Sequence, residues 1–283
     1  MIRIEKIELE KHFEGLGSEN RHPCLTMYLP DNTFLDRKRK RPAVIICPGG
    51  AYIDLSDRES EPIALYFMSR GFAAFVLNYS TSPYHFPAQL LEGMASVAYL
   101  RRHAQEIGIL EDKILICGFS AGGHLAGSVG ILGKCKEYLC ALSAQWEECR
   151  PDGMILCYPV TDHDIHSEKI NCFDFLTGKE SSETAREKAS LSRHVSADTP
   201  PAFIWHTLKD VTVPVKSSLI LALTMEEKGV PVELHVFSGG PHGLSLCNYL
   251  TASDDTPQYL NEGVGQWKVL LENWLKETFA MKM

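Results

Sequence analysis

Ser120, His242 and Asp210 are the side chains whose types and settings could together perform nucleophilic chemistry in this sequence. Ser120 stands in Gly118-Phe119-Ser120-Ala121-Gly122, after the apolar run 113–117 and before the small-residue run 121–127. A serine hydroxyl is a poor nucleophile until a neighbouring base takes its proton, and it must be lifted clear of the backbone to reach a carbonyl carbon. Glycines on both sides permit the tight, strained strand-to-helix turn that does this, and the helix N-terminus favours developing negative charge. The expected role of Ser120 is therefore the catalytic nucleophile.

Eleven histidines compete for the base. His242 is selected by its setting, Ser238-Gly239-Gly240-Pro241-His242-Gly243, a glycine-rich loop at the carboxyl end of the apolar run 232–237. Ligands of open α/β sheets bind at such strand ends. His124, one helical turn after Ser120, is expected to pack or to face solvent, and His206 and His235 are expected to be structural strand residues. The acid should follow a strand between nucleophile and base, and Asp210 in Lys209-Asp210-Val211-Thr212-Val213-Pro214 fits that place. It would hold the His242 tautomer and stabilise the imidazolium. Asp162, Asp164, Asp174 and Asp198 are the competing carboxylates.

Acyl transfer also places negative charge on the substrate oxygen, which preorganised N–H groups must meet. The loop Pro48-Gly49-Gly50-Ala51-Tyr52 can supply them: the N–H groups of Gly50 and Ala51, with that of Ala121, are the expected oxyanion hole. A glycine loop after a strand could instead hold phosphate, but neither GxGxxG spacing nor a Walker lysine is present. Tyr52, Arg58 and Glu59 follow the loop and are candidate substrate-binding residues.

The elements that must position these groups alternate. Runs 43–47, 73–78, 113–117, 153–158, 202–206 and 232–237 read as strands, and 25–29 as a short edge strand. Between them, 61–69, 88–106, 121–127 and 215–228 have helical character, and 267–279 forms a terminal amphipathic helix. Such alternation with short connections predicts an α/β fold, a mainly parallel central sheet with helices on both faces and right-handed crossovers. One domain spanning 1–283 is expected. Residues 161–199 break the rhythm, being long, polar and helix-tending, and are expected to form a small helical cap over the site.

Composition sets the outer bounds. Hydrophobic residues are 45% and charged residues 23% of 283, as in an ordinary globular protein. With a net charge of −8, nothing in the balance attracts polyanions, and the basic run 37–41 is expected to be a solvated loop. No nucleic-acid partner and no metal are expected: nine cysteines lie at irregular spacing with no CxxC pair. Free thiols, an N-terminus that alternates charged and apolar residues, and the lack of about 20 consecutive apolar residues together predict a cytoplasmic protein without a membrane partner. The residues leave open whether a homo-oligomer forms.

With these stretches in place, the chain resembles the α/β-hydrolase superfamily, and within it the esterase/lipase group that includes acetylxylan-esterase-like and hormone-sensitive-lipase-like enzymes. The resemblance is carried by Pro-Gly-Gly-Ala-Tyr at 48–52, Phe86-Pro87-Ala88, Gly-Phe-Ser-Ala-Gly-Gly-His-Leu-Ala at 118–126, Pro200-Pro201-Ala202-Phe203 with Asp210, and His242-Gly243. Pro48 replaces the histidine of the His-Gly-Gly-Gly loop found in many relatives, and Ala51 replaces its third glycine. The loop is similar instead to the Pro-Gly-Gly-Gly-Tyr variant of small bacterial esterases. That resemblance implies a cofactor-free serine carboxylesterase acting on small-molecule esters with short acyl chains, often acetylated sugars. The competing expectations are an oligopeptidase-like or amidase activity and a non-catalytic ligand receptor on the same scaffold.

Overall fold

The computed structural model describes residues 1–16, 21–168 and 170–281. Eight strands form one sheet: β1 (Ile2–Glu8), β2 (Cys24–Pro30), β3 (Arg41–Cys47), β4 (Ala73–Asn78), β5 (Ile109–Phe119), β6 (Gly153–Cys157), β7 (Ala202–Thr207) and β8 (Val232–Phe237). Their order is β1-β2-β4-β3-β5-β6-β7-β8. β1 and β2 pair antiparallel, as do β2 and β4, and all pairings from β4 through β8 are parallel.

Strands buried on both faces need no polar alternation, which is why the central ones read as continuous apolar runs. Their side chains still divide by the period of two. Ala43, Ile45 and Cys47 enter one core layer with Phe75 and Ile116, while Val44 and Ile46 enter the other with Val76 and Leu115. The first layer is covered by helices Ala88–Arg102, Ala121–Ile131 and Lys216–Glu227 through Met94, Leu125 and Leu221. Helices Glu61–Ser69 and Trp267–Phe279 cover the second through Phe67 and Trp274.

Three readings need correction. Residues 25–29 are not an edge strand: β2 lies between β1 and β4. β1 escapes sequence reading because its Ile and charged residues are almost all exposed, so its alternation signals no buried face. The expected helix 88–106 breaks at His103 into Ala88–Arg102 and Ala104–Ile107. The strand expected at 113–117 is the middle of the longer β5, whose pairing with β3 shifts register between Arg41 and Ala43.

The segment 161–199, in which Lys169 lies outside the described residues, is mostly loop and turn with short helical pieces. It carries helices Cys172–Leu176 and Glu183–Ala189, started by side-chain caps from Asn171 and Ser182. Phe173, Leu176, Ala189 and Leu191 anchor it in the first core layer. From β3 the chain proceeds to β4 on one side and β5 on the other, so the carboxyl ends of β3 and β5 flank a topological switch point. The candidate site lies there.

Candidate active site

Ser120 follows β5 directly and stands at the N-cap position of the helix Ala121–Ile131, with φ 55° and ψ −120°, a region a side chain occupies at a cost. The neighbours hold it there: its N–H donates to the Cys157 carbonyl at 3.0 Å, and its own carbonyl accepts from His124 and Val160. Gly122 explains why the helix can come so close. A β-carbon there would stand 2.0 Å from the Cys47 carbonyl oxygen, so only glycine lets the helix press on the end of β3 and bring the 48–52 loop beside Ser120.

Ser120 Oγ is 2.7 Å from His242 Nε2, and His242 Nδ1 is 2.6 Å from Asp210 Oδ2. An ionised carboxylate only accepts, so Nδ1–H donates to Asp210 and Nε2 is left to accept from the serine hydroxyl. Asp210 Oδ1 accepts from the N–H groups of Thr212 and Val213, each at 2.9 Å. Burial pushes the Asp210 carboxyl up, but hydrogen bonds from His206 and His242, the His242 charge and the Val213 N–H outweigh it and hold it well below the usual carboxylate range.

His206 is the residue that sequence reasoning passed over. Fully buried at the end of β7, it places Nε2 at 3.0 Å from the Val213 carbonyl and 3.2 Å from Asp210 Oδ2. Its Nδ1 meets Ser218 Oγ at 2.8 Å. The available signal was its position four residues before Asp210 at a strand end.

The loop 48–52 has three consecutive residues at positive φ: Gly50 at 130°, Ala51 at 57° and Tyr52 at 63°. Gly50 takes the conformation only glycine adopts freely, and its carbonyl is turned back to accept from Ile53 and Asp54. Gly50 and Ala51 line the same pocket as Ser120 and His242, a cleft of about 320 Å³. Ala121 is fully buried at the start of the helix behind Ser120. Ile170 and Cys172 bring the 161–199 segment to the pocket wall.

The three candidate substrate-binding residues separate. Tyr52 is 1% exposed and its hydroxyl is 2.7 Å from His124 Nδ1, so it faces the interior rather than substrate. The bulky ring follows the reversed backbone inward beneath the loop. Glu59 reaches the pocket wall but spends both oxygens on the protein: Oε2 accepts from the Gly49 N–H at 2.9 Å and Oε1 from the Tyr158 hydroxyl at 2.7 Å. Tyr158 in turn lies edge-on to the His242 ring at 5.0 Å, so Glu59 ties the loop 48–52 to the ring that packs against His242. Arg58 remains on the pocket wall, its guanidinium 4.0 Å over the Tyr259 ring and its Nε donating to the Thr251 carbonyl.

A second serine–histidine–carboxylate arrangement shows what distinguishes the first. His163 lies 2.8 Å from Ser190 Oγ and 2.7 Å from Glu183 Oε1, but Ser190 is fully buried and its hydroxyl donates to the Arg186 carbonyl. No substrate reaches it. A larger cavity of about 420 Å³, walled by Leu132, Lys134 and Tyr138, contains no triad residue. Among the described residues, no group of three or more His, Cys, Asp or Glu is arranged to hold a metal ion, and no helix is long and apolar enough to cross a membrane.

The BD-FAE family model matches residues 25–225, the span from β2 into the helix Lys216–Glu227 that includes the loop 48–52, Ser120 and Asp210. The chain belongs to the BD-FAE family. Its α/β-hydrolase fold is shared with an acetyl ester-xyloside bifunctional hydrolase from Caldicellulosiruptor lactoaceticus, at TM-score 0.83 and 32% identity over 98% of this chain and 97% of that one. Two further relatives are an endo-1,4-beta-xylanase B from Butyrivibrio fibrisolvens, 35% identical over 86% of this chain, and an acetylxylan esterase from Xylanibacter ruminicola, 29% identical over 88%. This BD-FAE chain spans 38% and 48% of the lengths of those two relatives.

Proposed function

We propose that this BD-FAE chain is a serine carboxylesterase that removes short acyl groups, acetyl above all, from carbohydrate alcohols. The observation that carries the reading is the hydrogen-bond chain from Ser120 through His242 to Asp210, opening on a cleft walled by the positive-φ loop at Gly50 and Ala51. Ser120 Oγ attacks the ester carbonyl while His242 Nε2 takes its proton. Asp210, already ionised and hydrogen-bonded, stabilises the imidazolium without reorganising. The N–H groups of Gly50, Ala51 and Ala121 face the developing oxyanion. His242 then returns the proton to the leaving alcohol, and water, activated by the same nitrogen, releases the acid from Ser120.

Support for a sugar alcohol comes from two sides. The similar proteins named above include an acetylxylan esterase and an acetyl ester-xyloside hydrolase. In this chain, Arg58 and Tyr259 form a polar and aromatic part of the wall of the same cleft that His242 lines, where the leaving alcohol must lie to receive its proton. Fluorophosphonate labelling should mark the parent and fail on Ser120→Ala. A nitrophenyl ester series should peak at acetate, and acetylated xylo-oligosaccharides should release acetate. A preference for chains beyond about eight carbons, which the small cleft disfavours, would overturn the short-acyl reading.

A further inference from the structure

His124 and Tyr52 are buried side chains that the proposed mechanism leaves unused. His124 Nε2 is 2.8 Å from the Ala189 carbonyl, which can only accept, so Nε2 carries the proton and donates. Nδ1 is then a bare acceptor, and the Tyr52 hydroxyl at 2.7 Å donates to it. Burial pushes the His124 pKa down to about 4, against the pull of the Ala189 carbonyl and Asp162, so the ring stays neutral at ordinary pH and the direction of both hydrogen bonds is preserved. Three parts of the fold meet in this chain: the oxyanion loop through Tyr52, the nucleophile helix through His124, and the 161–199 segment through Ala189.

The loop needs such a tether. Ala51 and Tyr52 both hold positive φ, which a residue with a β-carbon leaves readily when nothing restrains it. The Tyr52 carbonyl is also engaged, accepting from the Ser82 N–H at 2.7 Å, and its ring packs edge-on to Tyr79 and His124. We infer that Tyr52, locked by His124, is a positioning residue for the oxyanion hole: its buried hydroxyl keeps the preceding Gly50 and Ala51 N–H groups aimed at the substrate oxygen. The inference rests on the esterase reading above. It further assigns the 161–199 segment a part in catalysis beyond walling the cleft, since the Ala189 carbonyl selects the His124 tautomer that can accept from Tyr52.

The test is steady-state turnover of nitrophenyl acetate by Tyr52→Phe, His124→Leu and His124→Gln. A misaligned oxyanion donor costs up to about 100- to 1000-fold in kcat, so loss of its tether should cost about 10- to 100-fold, with KM changed less than about twofold. His124→Gln retains a donor and an acceptor and should recover most of the rate that His124→Leu loses. Affinity for a boronic acid, whose adduct with Ser120 presents a tetrahedral anion, should weaken in step with kcat/KM, while acetate binding stays constant. Tyr52→Phe within threefold of the parent kcat, or a lower kcat with unchanged boronate affinity, overturns the inference. If Tyr52→Phe does not fold, the comparison of the two His124 variants decides by the same boronate criterion. Failure of the parent to turn over nitrophenyl acetate in a Ser120-dependent way would instead sink the esterase reading itself.

Discussion

Asp210 Oδ2 accepts from His242 Nδ1 at 2.6 Å and has His206 Nε2 3.2 Å away, while Oδ1 is held by backbone. A carboxylate held on both oxygens cannot rotate, and that fixes the direction in which His242 presents Nε2 to Ser120. His206→Leu removes the Nε2–H that is shared between the Val213 carbonyl and the nearby Asp210 carboxylate. A hydrogen bond to a charged acceptor is worth about 1.5–3 kcal/mol, so kcat should fall by about 10- to 100-fold. Stopped-flow acylation of the variant would show it, and an unchanged acylation rate would mean that His206 serves only the packing of β7. Sequence reasoning reached Ser120, Asp210 and His242 because each follows a strand in a loop of recognisable composition. His206 lies inside an apolar strand, where its spacing of four residues before Asp210 was the one sign in the sequence of which side chain it meets.

At the scale of elements, β5, the turn at Ser120 and the helix Ala121–Ile131 act as one unit whose distance from β3 is set by Gly122. The obstructing atom is backbone, the Cys47 carbonyl at 2.0 Å, so neither side can yield without moving a strand or the helix. Gly122→Ala should cost at least about 1–3 kcal/mol and lower Tm and kcat together. Gly239, in the loop that carries His242, has no atom within 4 Å of an added β-carbon and an ordinary φ. Gly239→Ala should therefore melt within a few degrees of the parent, and differential scanning calorimetry of the pair checks the contrast. In the sequence the two glycines look equivalent, each beside a candidate catalytic residue. What separates them is the approach of β3, which is remote in the chain. The same holds for β1, whose solvated alternation shows no buried face and becomes a strand by pairing with β2.

For the whole molecule, two buried carboxyls bend stability with pH in opposite directions. Asp210 has a folded pKa below its usual 3.8, so its contribution is present above that value and is lost as pH falls through the lower folded one. Glu92 is fully buried, receiving the N–H and hydroxyl of Ser80, with Arg21 at 3.5 Å. Burial raises its pKa from 4.5 to about 7, against the hydrogen bonds of Ser80 and the charge of Arg21. The folded state thus holds that proton more tightly, and the associated stability is full below about pH 4.5 and lost as pH rises through about 7. Urea unfolding should find the parent more stable at pH 5 than at pH 8, and Glu92→Gln should flatten that difference. A slope unchanged in Glu92→Gln would show that another group carries it.

Composition and local pattern were enough to determine a mainly parallel α/β sheet, because strand burial and helix periodicity are written in neighbouring residues. They also pointed to Ser120, His242, Asp210 and the loop 48–52 as candidates, since each sits at a strand end next to glycine or proline. Only the tertiary structure decided what the side chains around them do. Tyr52 and Glu59 both follow the same glycine loop, yet one is tied to His124 and the other to Gly49 and Tyr158. Those partners lie on other elements, up to 99 residues away in sequence, and the directions of the hydrogen bonds depend on which donors the packed interior leaves them.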